Sequence, residues 1–282
     1  MNTMGLKTLL VCLTTTAHAE TLMKLAVPLA RKHNAHLIGL HTVEALVVYP
    51  GIAIHIPEPA FAAFNESQKK EAEAIKATFA QHTENEDFQS EFRLVRAEAV
   101  SANERMVESA RAADLVIMAH EDDEADRYDQ RKAQTQVIRE SGRPVIVVPL
   151  GYDGPAIGAN LLLGWSDTRE AARAAHDLLA VADDGAPLTV LRVGDVSQDP
   201  MADADGIDVA EMFSRHGLKP TLEHRETGGE GIAAVLNQVA FEKGADLIVT
   251  GAFGHSKAYD FVIGATTYAL LRYSRLPVMF SK

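Results

Sequence analysis

A single cysteine, Cys12, and a single tryptophan, Trp165, stand in a chain of 282 residues. One cysteine cannot close a disulfide within the chain, and no His/Cys pair has metal-ligand spacing, so neither a disulfide framework nor a structural metal is expected. Cys12 lies in an apolar run and reads as a small buried core residue. Positive charge is scarce: 27 Lys and Arg face 39 Asp and Glu, a net charge of −12. That balance argues against a nucleic-acid partner and against anionic membrane surfaces. A nucleotide can still be held by local backbone donors. No apolar run approaches the roughly 18 residues of a membrane span. Lys7, the run Leu9 to Leu13 and Ala17-His18-Ala19 imitate a secretory signal. The run is too short for the about 7–15 residues such a core needs, and cleavage would remove a central strand, so a cytoplasmic location is expected. There is no G-x-S-x-G elbow and no Walker lysine motif. No catalytic residue is assigned.

What is present is alternation. Hydrophobic residues make up 47% and charged residues 23%, as in soluble globular proteins. The first half reads as strand (Leu9 to Leu13), helix (Glu20 to His33), strand (Ala35 to Val43), an irregular stretch, a long polar helix (Phe61 to about His82), strand (Phe88 to Val95), helix, strand (Asp114 to Ala119), helix and strand (Pro144 to Pro149). The second half repeats the order. Ala113-Asp114-Leu115-Val116-Ile117 matches Ala245-Asp246-Leu247-Ile248-Val249, and Ser141-Gly142-Arg143-Pro144-Val145 matches Ser274-Arg275-Leu276-Pro277-Val278. The first half carries extra residues, placed near 44–65 as an insertion. Gly151-Tyr152-Asp153-Gly154-Pro155 is a turn-rich linker. The expectation is two α/β domains, 1–150 and 156–282, each with parallel strands joined by right-handed crossovers.

One stretch carries chemistry. A buried-strand run from Ala245 ends at Gly251, Gly254 follows, and Gly264 stands directly before the helix that opens Ala265-Thr266-Thr267. Glycines let backbone N–H groups approach an anion, and a helix N-terminus adds unpaired donors and partial positive charge. Beyond the carboxyl end of a parallel strand, such a set suits a phosphate. Short glycine spacings are weak motifs on their own; the plain alternative is ordinary loop glycines.

Together with the repeat and Leu161-Leu162-Leu163-Gly164-Trp165-Ser166-Asp167-Thr168-Arg169, these residues resemble the universal stress protein family in a tandem form covering nearly the whole chain. The G-x2-G-x9-G spacing matches that family's ATP-binding motif. The resemblance implies two tandem Rossmann-like domains of the adenine nucleotide alpha-hydrolase-like type, each a five-stranded parallel sheet of order 3-2-1-4-5 with helices on both faces. It implies ATP or another adenine nucleotide, with Mg²⁺ as an optional companion. Gly251, Gly254, Gly264 and Ala265 would meet phosphates and ribose, with His255, Thr266 and Thr267 nearby. Gly164, Trp165, Ser166 and Val193 would line the base and ribose side. Two departures stand out: Ser166 replaces the family's Asp, and Ala265 replaces a Ser or Thr. In the first half, Ala119-His120-Glu121-Asp122-Asp123-Glu124 holds no glycine and several carboxylates, so no nucleotide is expected there. A solvated charged loop is the plain reading of that stretch; a cation site is the alternative. The family's domains pair through their last strands, which here implies an intramolecular pseudo-dimer, with a homodimer left open. The function implied is regulatory nucleotide binding in a stress response, with at most slow ATP hydrolysis. The competing readings are a nucleotide-free interaction scaffold and a hydrolase of related fold.

Overall fold

The computed structural model describes residues 5–44, 58–97, 101–120, 133–154, 156–194, 204–254 and 264–282. In the first half, strands β1 (Thr8–Cys12), β2 (His36–Glu44), β3 (Ser90–Ala97), β4 (Leu115–Ala119) and β5 (Val145–Val148) alternate with helices α1 (Thr16–His33), α2 (Glu58–Thr83), α3 (Ala102–Ala110) and α4 (Ala133–Glu140). The second half has β6 (Leu161–Trp165), α5 (Arg169–Leu178), β7 (Pro187–Val193), α6 (Ala204–Arg215), β8 (Lys219–Arg225), α7 (Ile232–Lys243), β9 (Leu247–Gly251), α8 (Ala265–Tyr273) and β10 (Val278–Ser281).

The strands form one ten-stranded sheet, ordered β3-β2-β1-β4-β5-β10-β9-β6-β7-β8. Each half keeps the order 3-2-1-4-5, and all neighbours within a half are parallel. The halves join where β5 and β10 pair antiparallel, with Val147 opposite Val278 and Val145 opposite Phe280. Pairing removes two sheet edges that would otherwise offer free backbone groups. It also turns the halves head to tail: the carboxyl ends of the first-half strands and of the second-half strands face opposite ways.

Central strands are apolar throughout because helices cover both faces. β1, β4 and β9 therefore show almost unbroken burial. One buried layer runs under α1 and α5 through both halves, including Leu9, Leu22, Leu163, Leu178 and Met279. The other lies under α3, α4, α7 and α8, including Leu10, Met106, Val137, Leu162, Leu236 and Phe280. Across the seam, the Lys32 ammonium donates to the carbonyls of Val181 and Ala182, both at 2.9 Å, and meets the Asp183 carboxylate at 2.6 Å.

The repeated letters have structural reasons. Asp114 Oδ2 accepts from the backbone N–H of Lys7 at 2.7 Å and of Thr8 at 2.9 Å, tying the entry of β4 to that of β1. Asp246 does the same for the second half, accepting from Gly158 at 2.9 Å and from Ala159 and Asn160 at 2.8 Å each. Burial pushes the Asp246 carboxyl up from the ordinary range, and those three N–H donors pull it back. Ser141 and Ser274 are both buried, and each hydroxyl accepts from the N–H two residues on, of Arg143 at 3.2 Å and of Leu276 at 3.3 Å.

Several boundaries differ from the sequence expectation. α1 starts at Thr16 rather than Glu20, since Ala17 and Ala19 extend the helix. α2 starts at Glu58, so residues 58–65 of the expected insertion are the first turns of that helix. The remainder, 45–57, lies outside the described residues.

Candidate functional site

The chain reverses its winding direction between β6 and β9, which pair at Gly164 and Thr250. Crevices at such switch points, beyond the carboxyl ends of the strands, are where open α/β sheets take ligands. Gly164 keeps β6 slim there: a Cβ would meet Leu236 Cδ2 at 3.0 Å and Thr250 Oγ1 at 3.4 Å. Trp165 follows, partly buried against the core. Ser166 is exposed, its hydroxyl 3.3 Å from that of Thr168. Thr168 caps α5 by accepting from the Ala171 N–H at 3.2 Å. Val193, at the end of β7, is half-buried on the side of the sheet covered by α7.

The three glycines have distinct roles. At Gly251, a Cβ would lie 2.6 Å from both the Ala171 nitrogen and the Glu170 carbonyl carbon, so the end of β9 runs straight into the first turn of α5. At Gly254 a Cβ would meet Glu170 Oε2 at 3.0 Å. Gly264 holds the N-cap of α8 at φ +87°, where an L side chain is strained, and as a glycine it brings no side chain of its own to cap that helix. The first-turn N–H groups of α8 therefore take no acceptor from the N-cap side chain. Ala265 is exposed, Thr266 half-buried and Thr267 buried. The Thr267 hydroxyl accepts from the Phe253 N–H at 3.2 Å, which ties the loop after β9 to α8 and leaves the O–H itself as a donor. His255, expected near the phosphates, lies outside the described residues.

Two residues escaped sequence reasoning. Glu170 is 4% exposed, lies against Gly254, and accepts from Arg169 Nε at 2.8 Å. The signal was present: an acidic residue in the first turn of a helix, next to a Thr N-cap. Phe253, between the first two glycines, adopts φ +54°. Its ring is buried, with the Arg139 guanidinium 4.2 Å from its centroid and Lys282 Nζ 5.8 Å away. Two cations and a helix N-terminus favour an anion here, and the Glu170 carboxylate opposes one.

The equivalent end of the first half is built differently. The Gln134 side-chain amide donates to the Ala119 carbonyl, closing the end of β4 onto α4. Cys12 takes the place of Gly164 and is fully buried, its thiol pushed up to about 12 by burial. His120 is pushed down to about 4 by burial, with His18 adding to the effect. The acidic stretch from Glu121 lies outside the described residues. Among the described residues, no group of three or more His, Cys, Asp or Glu is placed to hold a metal ion. Among them, too, no helix is long and apolar enough to cross a membrane.

The family model for universal stress proteins matches residues 5–149 and again 160–282. A universal stress protein of Synechocystis is 29% identical over 154 residues, a stretch covering 51% of this chain and 48% of that relative. The match thus spans about half the length of the curated relative. A universal stress protein structure from Archaeoglobus fulgidus aligns over 97% of this chain and 96% of its own, with TM-score 0.71 and 16% identity. A Pseudomonas aeruginosa chain named for the same family aligns over 98% and 93%, with TM-score 0.61 and 18% identity. At those identities the two structures speak for the fold.

Proposed function

Because the chain belongs to the universal stress protein family, as a tandem pair of its domains, we propose that it binds one adenine nucleotide, in the second half only, and acts as a cytoplasmic regulatory module rather than a catalyst. The observation that carries this reading is the Gly264 N-cap. It gives α8 no side-chain cap of its own and stands directly beside the loop from β9, at the switch point of the sheet. Gly251, Gly254, Gly264 and the backbone N–H groups of Ala265 and Thr266 would face the phosphates, with Arg139 and Lys282 adding positive charge at the rim. Gly164, Trp165, Ser166 and Val193 would border the nucleoside. Ser166, exposed, offers a weaker acceptor to the base than a carboxylate would, which favours loose base selection. When a triphosphate is bound, Mg²⁺ would neutralise part of its charge.

A second reading is favoured by one observation. The buried Glu170 carboxylate lies against Gly254, where it works against a polyphosphate. In that reading the site has lost nucleotide and the molecule is a scaffold. Equilibrium titration with AMP, ADP and ATP, with and without Mg²⁺, separates the two. Binding that disappears in Gly254→Asp, which adds a second carboxylate beside Glu170, supports a working site. No binding of any of the three up to millimolar concentration would leave the scaffold reading in its place.

A further inference from the structure

Phe253 is held in a conformation that bulky residues seldom adopt, φ +54°, in the middle of the G-x2-G stretch. Such strain persists only where the surroundings over-determine it. Here the ring is 5% exposed. Tyr268 meets it edge-on, with centroids 5.6 Å apart. Gly264 presses against it, since a Cβ there would lie 2.8 Å from Phe253 Cδ1. The backbone N–H donates to Thr267. All of these partners come from α8 and its N-cap in the same half. Two cations also lie over the ring: the Arg139 guanidinium, 4.2 Å from the centroid and supplied by the last turn of α4 in the first half, and, farther off, Lys282 Nζ at 5.8 Å. The antiparallel joint of β5 and β10 explains this: it brings the carboxyl end of α4 to the same end of the sheet as the loop after β9.

We propose that Arg139 is a positioning residue which the first half supplies to the second-half site. Its guanidinium clamps the Phe253 ring, and through that ring it holds the backbone of Gly251 to Gly254 in the shape that receives a phosphate. The inference rests on the reading of that loop as part of the nucleotide site. It gives the first half a task there although its own stretch carries no glycines. At the spacing of the repeat the matching positions are Arg272 and Glu121, so the sequence has an acidic residue there rather than an aromatic one, and Glu121 lies outside the described residues. The aromatic form of the clamp therefore belongs to the second-half site alone.

The test is a double-mutant cycle of Arg139→Ala and Phe253→Leu in the full chain, with Arg139→Lys as the conservative variant. Two readouts are taken: amide exchange at residues 252–254, and equilibrium binding of AMP. Arg139→Ala is expected to speed exchange and weaken AMP by about 2- to 5-fold, the range of a partly exposed cation–π contact. Arg139→Lys should fall between Ala and wild type, and the Arg139→Ala effect should vanish once Phe253 is Leu. Unchanged exchange in Arg139→Ala, or an equal effect with and without the ring, would overturn the clamp. A wild-type chain that binds no AMP, ADP or ATP would overturn the reading of the site instead, while exchange still decides the clamp.

Discussion

The two halves share a frame and differ at one end of it. Asp114 and Asp246 both tie the start of the fourth strand to the entry of the first, and Ser141 and Ser274 both close the turn before the last strand. At the carboxyl end of the fourth strand the likeness stops. The second half has Gly251 packed on α5, a strained Phe253 and a glycine N-cap on α8; the first half has Ala119 bonded by Gln134, and His120. Residues repeated in both copies are those the architecture needs. Residues present in one copy mark what that copy does.

The largest expected effect breaks the shared frame. Asp246→Ala leaves three backbone donors of a covered turn without their acceptor and should cost about 3–4 kcal/mol in urea unfolding, whereas Asp114→Ala, with two donors nearer solvent, should cost about 1–2 kcal/mol. Equal losses would show that the third donor and deeper burial at Asp246 add nothing to the tie.

Next comes the contrast at the strand end. Gly251→Ala drives a methyl into the backbone of α5, which cannot yield as a side chain would, and should destabilise by about 2–3 kcal/mol. The first half already carries Ala119 at the matching place, so Ala119→Gly should cost no more than about 1 kcal/mol. If Gly251→Ala were neutral in thermal unfolding, the close approach of β9 to α5 would be wrong.

Acid should find the first half first. His120 has a folded value near 4 against an ordinary 6.5, so the unfolded chain binds the extra proton across that window. Its contribution is neutral above pH 6.5 and turns destabilising as pH falls toward 4, by about 1–2 kcal/mol after allowance for partial exposure. The second half has Ala252 at that place. His120→Ala should therefore flatten the loss of stability between pH 6.5 and 4, and an unchanged slope would assign the acid response elsewhere.

The smallest effect concerns charge in the site. Glu170→Gln removes the buried carboxylate beside Gly254 and should tighten ATP without Mg²⁺ by about 5-fold, with AMP changing less. Weaker ATP binding only when Mg²⁺ is present would instead give Glu170 a share in holding the metal.

Much of this was legible from letters. The repeated Ala-Asp-Leu runs, the buried strands and the strand-glycine-helix spacing pointed to the two halves, to the order of their elements and to the stretch proposed as the site. Boundaries shifted where short alanine-rich or polar stretches fit a helix as well as a loop, as at Thr16 and Glu58. The joined sheet followed from the resemblance, not from periodicity, because β5 and β10 carry no mark of what they pair with. Glu170 and Phe253 were missed for a different reason. An acidic residue in a first helical turn and an aromatic among loop residues are ordinary in sequence, and only the fold brings both against the glycines. Arg139 lies more than a hundred residues from Phe253, and no local pattern connects them.

The most direct test of the account is stoichiometry. The purified chain, stripped of any bound nucleotide, is titrated with AMP and with ATP, and the number of sites is counted. The account predicts one site per chain, lost in Gly254→Asp. Two sites, or one that survives that substitution, would contradict the division of labour between the halves.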